Sequence, residues 1–177
     1  VNGVADVAPL QRTFLLRGVV GSAGGLTKTG NGVLEFGAPA VFTGPMTIAA
    51  GAFRGAVGYA GARYSALTIA SGARYDVAGN TNAWGSLAGA GTIFNTSTTS
   101  GNFIAGLDNT STAFSGQFAR FNDATLNVTA FTKVGTGVLR LTGSQSAATG
   151  TTGALTVSGG TVTFDGTGSW YASTSAQ

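Results

Sequence analysis

A ten-residue element occurs twice in this chain, and the duplication limits the possible folds more than any other feature. The first copy is TKTGNGVLEF at 27–36, and the second is TKVGTGVLRL at 132–141. Repetition of a short element punctuated by glycine is the sequence signature of solenoids, in which each repeated unit packs against its neighbours. The chain is therefore predicted to stack repeated turns.

A shorter element gives the length of one turn. The sequence MTIAAG at 46–51 recurs as LTIASG at 67–72 and as LTVSGG at 155–160. The threonine of the second copy lies 21 residues after that of the first (68 − 47 = 21), within the range expected for one solenoid unit. The last copy follows an insertion, which predicts a loop.

Both elements alternate apolar and polar residues with a period of two, which is the period of a β-strand. The apolar positions of the long element predict four inward-facing side chains, Leu34, Phe36, Leu139 and Leu141. Glu35 and Arg140 share one position between them, and their opposite charges predict that this position faces solvent. Thr47, Thr68 and Thr156 are predicted to face outward for the same reason.

The alternation changes phase after the second short element. The inward set after Gly72 is Ala73, Tyr75 and Val77, one residue out of step with the other copies. One extra residue is accommodated in a strand by a β-bulge and in a corner by a longer turn. The sequence predicts one of these two changes near Gly72.

Composition excludes several classes of protein. The 30 glycines and the β-branched residues disfavour helices, since an interior glycine costs a helix about 1 kcal/mol relative to alanine. The absence of cysteine and histidine removes disulfides, thiolate chemistry and the commonest general base and metal ligand. The nine basic residues do not cluster, which argues against nucleic acid as a partner.

The chain has no signal-peptide pattern at Val1 and no apolar run of the length, about 20 residues, of a membrane helix. We expect a fragment of a longer protein, with residues 1–10 or 172–177 loose or covering an end.

Strands of about four to six residues fit a sandwich, a barrel or a parallel β-helix, and the solenoid spacing favours the β-helix. A lipid-facing barrel would need ten-residue strands and aromatic girdles.

One family resembles the chain at these residues. GLTKTGNGVL at 25–34, FTG at 42–44 and the tail at 47–53 resemble the passenger-associated β-strand repeat of bacterial autotransporters. The second copy, 131–164, has Phe131 in place of leucine and a polar insertion in place of FTG. The resemblance extends over roughly 14–165, with long repeats at about 14–55 and 113–166.

The resemblance implies an all-β fold, a right-handed parallel β-helix with three sides, and residues 1–177 are expected to form a single segment of it. It also implies type V secretion, display on the bacterial cell surface or release, and a translocator barrel in the parent protein. The expected role is a structural or adhesive stalk segment of a virulence protein, an adhesin or a toxin, with a contact surface for adhesion, aggregation or toxin delivery. Its expected partner is a host or bacterial surface receptor or a second copy, and it is expected to be neither an enzyme nor a cofactor protein.

A β-helical carbohydrate-active enzyme is the alternative, because such enzymes use carboxylates on one outer face. The acidic residues are Asp6, Glu35, Asp76, Asp108, Asp123 and Asp165. No two of them lie within four residues of each other, so no catalytic or metal site is predicted. At least two carboxylates on one outer face of the folded chain would favour the enzyme.

The approximate calcium motifs at 76–80 and 165–168 do not repeat, and they are interpreted as turns.

Two other groups of residues are candidates for contact with a partner. The aromatic candidates are Tyr59, Tyr64, Tyr75, Trp84, Trp170 and Tyr171. Core or end packing is favoured over a carbohydrate or receptor patch for this set. The polar run NTSTTS at 95–100 is interpreted either as a Thr/Ser-rich turn or as a loop that projects from the solenoid. This run and the insertion at 144–152 are the first candidates for adhesion, because loops carry much of protein binding. The glycine-rich stretch at 85–91 is interpreted as a turn.

Overall fold

The computed structural model describes residues 13–18, 21, 23–119, 129–143, 153–165 and 170. Within these ranges 17 strands form three sheets, all strand pairs are parallel, and no helix is present. No described helix could therefore cross a membrane. The terminal segments expected to be loose, 1–10 and 172–177, lie outside the described residues.

We name each of the three sheets by the number of strands it contains. The strands of a sheet are given in spatial order, so that neighbours in the order are hydrogen-bonded to each other. The six-stranded sheet contains β1 (Thr13–Leu16), β3 (Val33–Phe36), β5 (Ala52–Gly55), β7 (Arg74–Asp76), β10 (Thr92–Phe94) and β13 (Gln117–Phe118). The four-stranded sheet contains β8 (Thr81–Trp84), β11 (Gly101–Ala105), β14 (Thr129–Lys133) and β16 (Leu155–Val157). The seven-stranded sheet contains β2 (Leu26–Lys28), β4 (Met46–Ile48), β6 (Ala66–Ile69), β9 (Ser86–Gly89), β12 (Thr112–Phe114), β15 (Val138–Leu141) and β17 (Thr161–Phe164).

The chain winds from the seven-stranded to the six-stranded to the four-stranded sheet and then begins the next turn. Thr47 lies directly beside Thr68, so the 21-residue spacing is one turn. The predicted parallel β-helix with three sides is confirmed. The stretch at 85–91, predicted to be a turn, contains β9 instead. Gly89 and Gly91 serve close packing there, since a Cβ at either would lie within 2.3 Å of Ile69.

The third side of the first turns is irregular. Segments 37–45 and 56–65 take the place of strands there, and the four-stranded sheet starts only with β8. Pro39 and Pro45 lie in the first segment, and a proline lacks the N–H that a sheet ladder needs. The second segment contains Gly58 and Gly61 and directly follows Gly55, the last residue of β5. Glycine weakens a strand.

The inward and outward assignments of the long element are confirmed. Leu34, Phe36, Leu139 and Leu141 are buried, whereas Arg140 is exposed and Glu35 is half-buried. The three threonines face outward as predicted. The alternation around Thr156 predicts that Val157 faces inward, but Val157 is 48% exposed. Its strand β16 is the last of the four-stranded sheet, so no further described strand pairs with it.

The phase change near Gly72 is a longer corner and not a bulge. Phe53 pairs with Tyr75, so the inward column continues through β7 without interruption. Gly51 and Gly72 both have positive φ angles, of 67° and 79°. Phe53 lies two positions after its corner glycine and Tyr75 lies three after, so the extra residue is in the corner. Ala73, Tyr75 and Val77 are fully buried, as predicted.

An aromatic column fills the interior along the solenoid axis. Its rings are those of Phe36, Phe53, Tyr75, Phe103, Phe118 and Phe131. Successive ring centroids lie between 4.7 and 6.1 Å apart, which is the contact range of stacked and edge-to-face rings. The indole N–H of Trp84 donates to the hydroxyl of Tyr75 over 3.0 Å, which satisfies both buried groups.

Burial raises the pKa of Tyr75, and the nearby Asp76 adds to the increase while the bond from Trp84 opposes it. The folded protein therefore keeps this proton at a pH where the unfolded chain, with a tyrosine pKa of about 10, has lost it. The stabilising contribution is complete below about pH 10 and declines as the pH rises beyond it, by up to about 1.4 kcal/mol per pH unit.

Tyr75→Phe should lower the free energy of unfolding by about 1–3 kcal/mol at neutral pH, because the Trp84 N–H loses its acceptor. Above about pH 10 the difference between the two proteins should shrink, since only the original chain carries the buried phenol. Urea unfolding across this pH range measures both effects. A difference that stays constant with pH would contradict the burial of an un-ionised Tyr75.

Candidate functional site

Each copy of the long element has a lysine at the end of its first strand, where the chain turns a tight corner. Lys28 faces inward beside Ile48, and its ammonium group lies at the corner. It donates to the carbonyl oxygens of Thr29 and Gly30 at 2.7 and 2.6 Å and to that of Ala50, in the next turn, at 3.1 Å. One side chain therefore binds the corners of two turns.

Lys133 repeats this arrangement in the second copy. Its ammonium group donates to the carbonyls of Val134, Gly135 and Gly159, at 2.6, 3.4 and 3.5 Å. Burial lowers the pKa of both lysines, and Asp108 partly offsets the effect for Lys133. The sequence analysis missed this role, although one signal was present: in both copies the lysine follows an outward threonine and so has the inward phase.

Lys133→Met should lower the free energy of unfolding by about 1–3 kcal/mol, because carbonyl oxygens at the corner lose a buried donor. Arg74→Met, at an exposed cation on a strand, is the control and should change stability by about 0.5 kcal/mol or less. Chemical denaturation of both variants provides the comparison. Unchanged or increased stability of Lys133→Met would show that the corner does not depend on the ammonium group.

The fold brings two carboxylates to one outer face, the feature that would favour an enzyme. Glu35, Arg54 and Asp76 are neighbours on the outer side of the six-stranded sheet. Arg54 lies between the acids, 3.5 Å from Glu35 and 2.9 Å from Asp76. The guanidinium group therefore neutralises the pair.

Asp76 is 1% exposed, and donors occupy both of its oxygen atoms. The Ala78 and Thr96 N–H groups donate to Oδ1, while the Thr96 hydroxyl and Arg54 donate to Oδ2. The bond from Ala78 closes a turn over residues 76–78. This carboxylate orders a corner and cannot touch a substrate.

The other acids do not join this pair in the described part of the chain. Asp165 pairs with Arg140 at the surface, and Asp108 accepts from the N–H and hydroxyl of Thr110. Asp6 and Asp123 lie outside the described residues, as does part of the motif at 165–168. No cluster of three or more metal-binding side chains is present among the residues that the structure describes.

The six aromatic candidates divide into two groups. Tyr75 and Trp84 belong to the core, and Trp170 packs against Phe118 and donates to the carbonyl of Gly153. Tyr171 lies outside the described residues. Tyr59 and Tyr64 are 51% and 71% exposed on the 56–65 segment. Packing therefore explains Tyr75, Trp84 and Trp170, whereas Tyr59 and Tyr64 are accessible to a partner.

The polar run at 95–100 is a compact corner instead of a projecting loop. Asn95 is buried, and its side chain accepts from the N–H groups of Gly79 and Ser97 and donates to the carbonyl of Thr99. The hydroxyls of Ser97 and Thr99 bond to each other over 2.8 Å. The insertion at 144–152, the other candidate for adhesion, lies outside the described residues.

A family model described as passenger-associated-transport-repeat matches residues 26–54 and 131–164. These chain segments carry the two lysine corners. We call these two matched segments the passenger-associated-transport repeats. Together with the solenoid, the repeats confirm the resemblance to an autotransporter passenger. The search of curated proteins and the search of solved structures found no match to the chain.

The two passenger-associated-transport repeats occupy different pairs of sides of the solenoid. The first contributes β2 and β4 to the seven-stranded sheet and β3 and β5 to the six-stranded sheet. In the second, the equivalent strands are β14 and β16 in the four-stranded sheet and β15 and β17 in the seven-stranded sheet. The repeat has therefore moved by one side between its two copies, and its lysine corner has moved with it.

Proposed function

We propose that the chain is a rigid structural and adhesive segment of an autotransporter passenger, displayed on the bacterial cell surface or released from it. The observation that carries this proposal is the continuity of the seven-stranded sheet through both passenger-associated-transport repeats. A solenoid with uninterrupted ladders extends in one direction and presents a long surface. The proposal extends to residues 1–177 as parts of one such segment, with long repeats over about 14–55 and 113–166.

The proposal includes the absence of enzymatic activity. Glu35 and Asp76 share an outer face, as the alternative requires, but Arg54 lies between them and Asp76 is closed to solvent. A glycosidase needs a carboxyl group that can donate a proton to a bound sugar. The alternative of a carbohydrate-active enzyme therefore lacks support at the place where, among the described residues, the fold brings two acids together.

The proposed location follows from the passenger repeats, because passengers of this family are secreted by the type V route. The parent protein then has a translocator barrel, and the segment meets host or bacterial surfaces or other copies of itself. Scarce charge suits an extended strand surface, since only 8% of the residues are charged and threonines such as Thr47, Thr68 and Thr156 hold outward positions. These properties are those of an adhesin stalk.

Labelling of intact cells tests this proposal. Cells that produce the parent protein should bind an antibody against the folded segment without permeabilisation. A periplasmic protein in the same cells is the control and should be labelled only after permeabilisation. The same cells, with and without the segment, can then be compared in adhesion to host cells. Labelling that requires permeabilisation would contradict surface display.

A further inference from the structure

The exposed tyrosine loop, residues 57–65, combines aromatic rings with an arginine that forms no ion pair with any described residue. Tyr59 and Tyr64 both project into solvent, and the guanidinium carbon of Arg63 lies 5.4 Å from the centre of the Tyr59 ring. A guanidinium stacked on an aromatic face keeps its N–H groups free for a ligand in the plane of the group. The Tyr59 ring and the Arg63 donors are thus directed to the same region of the surface, and the exposed Tyr64 is the next residue of the chain.

The backbone holds this loop firmly. The Tyr59 N–H donates to the carbonyl of Thr81 over 2.7 Å, and the Ser65 hydroxyl donates to the carbonyl of Phe42 over 2.8 Å. Residues 60–62 are buried between these bonds. Gly61 packs so closely that a Cβ there would lie 2.3 Å from the carbonyl oxygen of Ala83. The exposed side chains are therefore presented by an ordered backbone, which lowers the entropy cost of binding.

Folding alone does not explain why a tyrosine stands at position 59. Its φ angle is 59°, in the left-handed region that favours glycine or asparagine. Half of its side chain is exposed, so burial does not compensate for the strained backbone. Strain of this kind is found at sites where it positions a functional side chain.

Charge indicates the kind of ligand. Arginines bind Glu35, Asp76 and Asp165, but Arg63 has no ion pair within the described ranges of the chain. The whole chain carries a net charge of +3. Tyrosine rings pack well against the apolar faces of pyranose sugars, and arginine matches the two oxygens of a carboxylate.

We propose that Tyr59, Arg63 and Tyr64 bind a pyranose sugar that carries a carboxylate. The rings contact the C–H face of the sugar, and the Arg63 guanidinium binds its carboxylate. Sialic acid and uronic acid residues both have this chemistry. This site depends on the proposed function in one respect, because a segment displayed at the cell surface comes into contact with glycans.

Titration calorimetry of the 177-residue chain tests the site with three probes: 3′-sialyllactose, a hyaluronan hexasaccharide and neutral lactose. We expect one acidic probe, or both, to bind and lactose to bind at least about tenfold more weakly, which corresponds to about 1.4 kcal/mol. The acidic probe that binds identifies the source of the carboxylate. Equal binding of lactose, or no binding of either acidic probe, would overturn the proposal.

Tyr59→Gly is the decisive variant, because it removes the ring and relieves the strained backbone together. Affinity should fall about tenfold or more while Tm stays equal or rises. Ala78→Gly is the matched control, since Ala78 also has a positive φ, of 48°, but lies outside the loop; it should bind like the original chain.

Arg63→Gln should weaken binding of the acidic probe and leave lactose unaffected. Affinity that is unchanged in Tyr59→Gly and Arg63→Gln would show that the sugars bind elsewhere or that the exposed tyrosines contact protein instead. These measurements use purified protein and are independent of cell labelling. A failure of the sugar site can therefore be distinguished from a failure of surface display.

Discussion

Gly135→Ala is expected to lower the free energy of unfolding by about 2–5 kcal/mol. Gly135 has a φ of 68°, a region that costs an L-residue about 1–2 kcal/mol. Its Cβ would also lie 1.9 Å from the carbonyl oxygen of Gly106 in the preceding turn, and overpacking of this kind adds about 1–3 kcal/mol. The stacked corners leave no space for a methyl group.

Gly30→Ala provides a matched control at the same position of the first repeat. Gly30 has a nearly identical φ of 70°, but a Cβ there would meet no atom within 4 Å. Only the backbone term remains, so the loss should be about 1–2 kcal/mol. Guanidinium melts of both variants give the comparison. Equal losses would indicate that the corners of successive turns are not in contact.

Leu139→Ala is expected to cost about 2–5 kcal/mol, through lost apolar burial and the cavity that remains. The neighbouring Arg140→Ala should cost about 0.5 kcal/mol or less, because its partner Asp165 is also exposed. The contrast should recur between Leu34→Ala and Glu35→Ala, which occupy the same positions of the first repeat. If Arg140→Ala and Glu35→Ala proved the costly pair, the inward face of these strands would be assigned wrongly.

The alternation of side chains and the length of one turn could be predicted from the sequence. Leu139 and Leu141 faced inward as predicted because a period of two leaves only one choice once the apolar face must be buried. The pairing of Thr47 with Thr68 followed from their spacing, since stacked turns of similar sequence align equivalent residues.

The side of the solenoid on which a repeat lies could not be predicted. Thr47 and Thr156 are equivalent in sequence, yet they belong to the seven-stranded and the four-stranded sheet. Similarity shows that two strands have the same local environment, but the residues between them determine how far the chain has wound. The first turns replace the third strand by irregular segments, and later turns contain it.

The features of the candidate site depend on contacts between turns. The carbonyl of Ala50 that accepts from Lys28 belongs to the next turn. The carbonyl of Thr81 that accepts from the Tyr59 N–H belongs to strand β8. Neither contact has a local sequence pattern. The sequence identifies the aromatic residues, but only the fold shows that Tyr75 is buried and Tyr64 is exposed.

Disulfide cross-linking tests most directly the central claim, that the second repeat is displaced by one side. Ala113 lies beside Arg140 in the seven-stranded sheet, and neighbouring strands about 4.8 Å apart suit a disulfide. The chain has no cysteine of its own, so Ala113→Cys combined with Arg140→Cys should form a single cross-link under mild oxidation, detected by mass spectrometry. Were the two repeats on the same sides, β15 would follow β13 in the six-stranded sheet. In that case Ala119→Cys would cross-link with Arg140→Cys and Ala113→Cys would not, which would contradict the displacement.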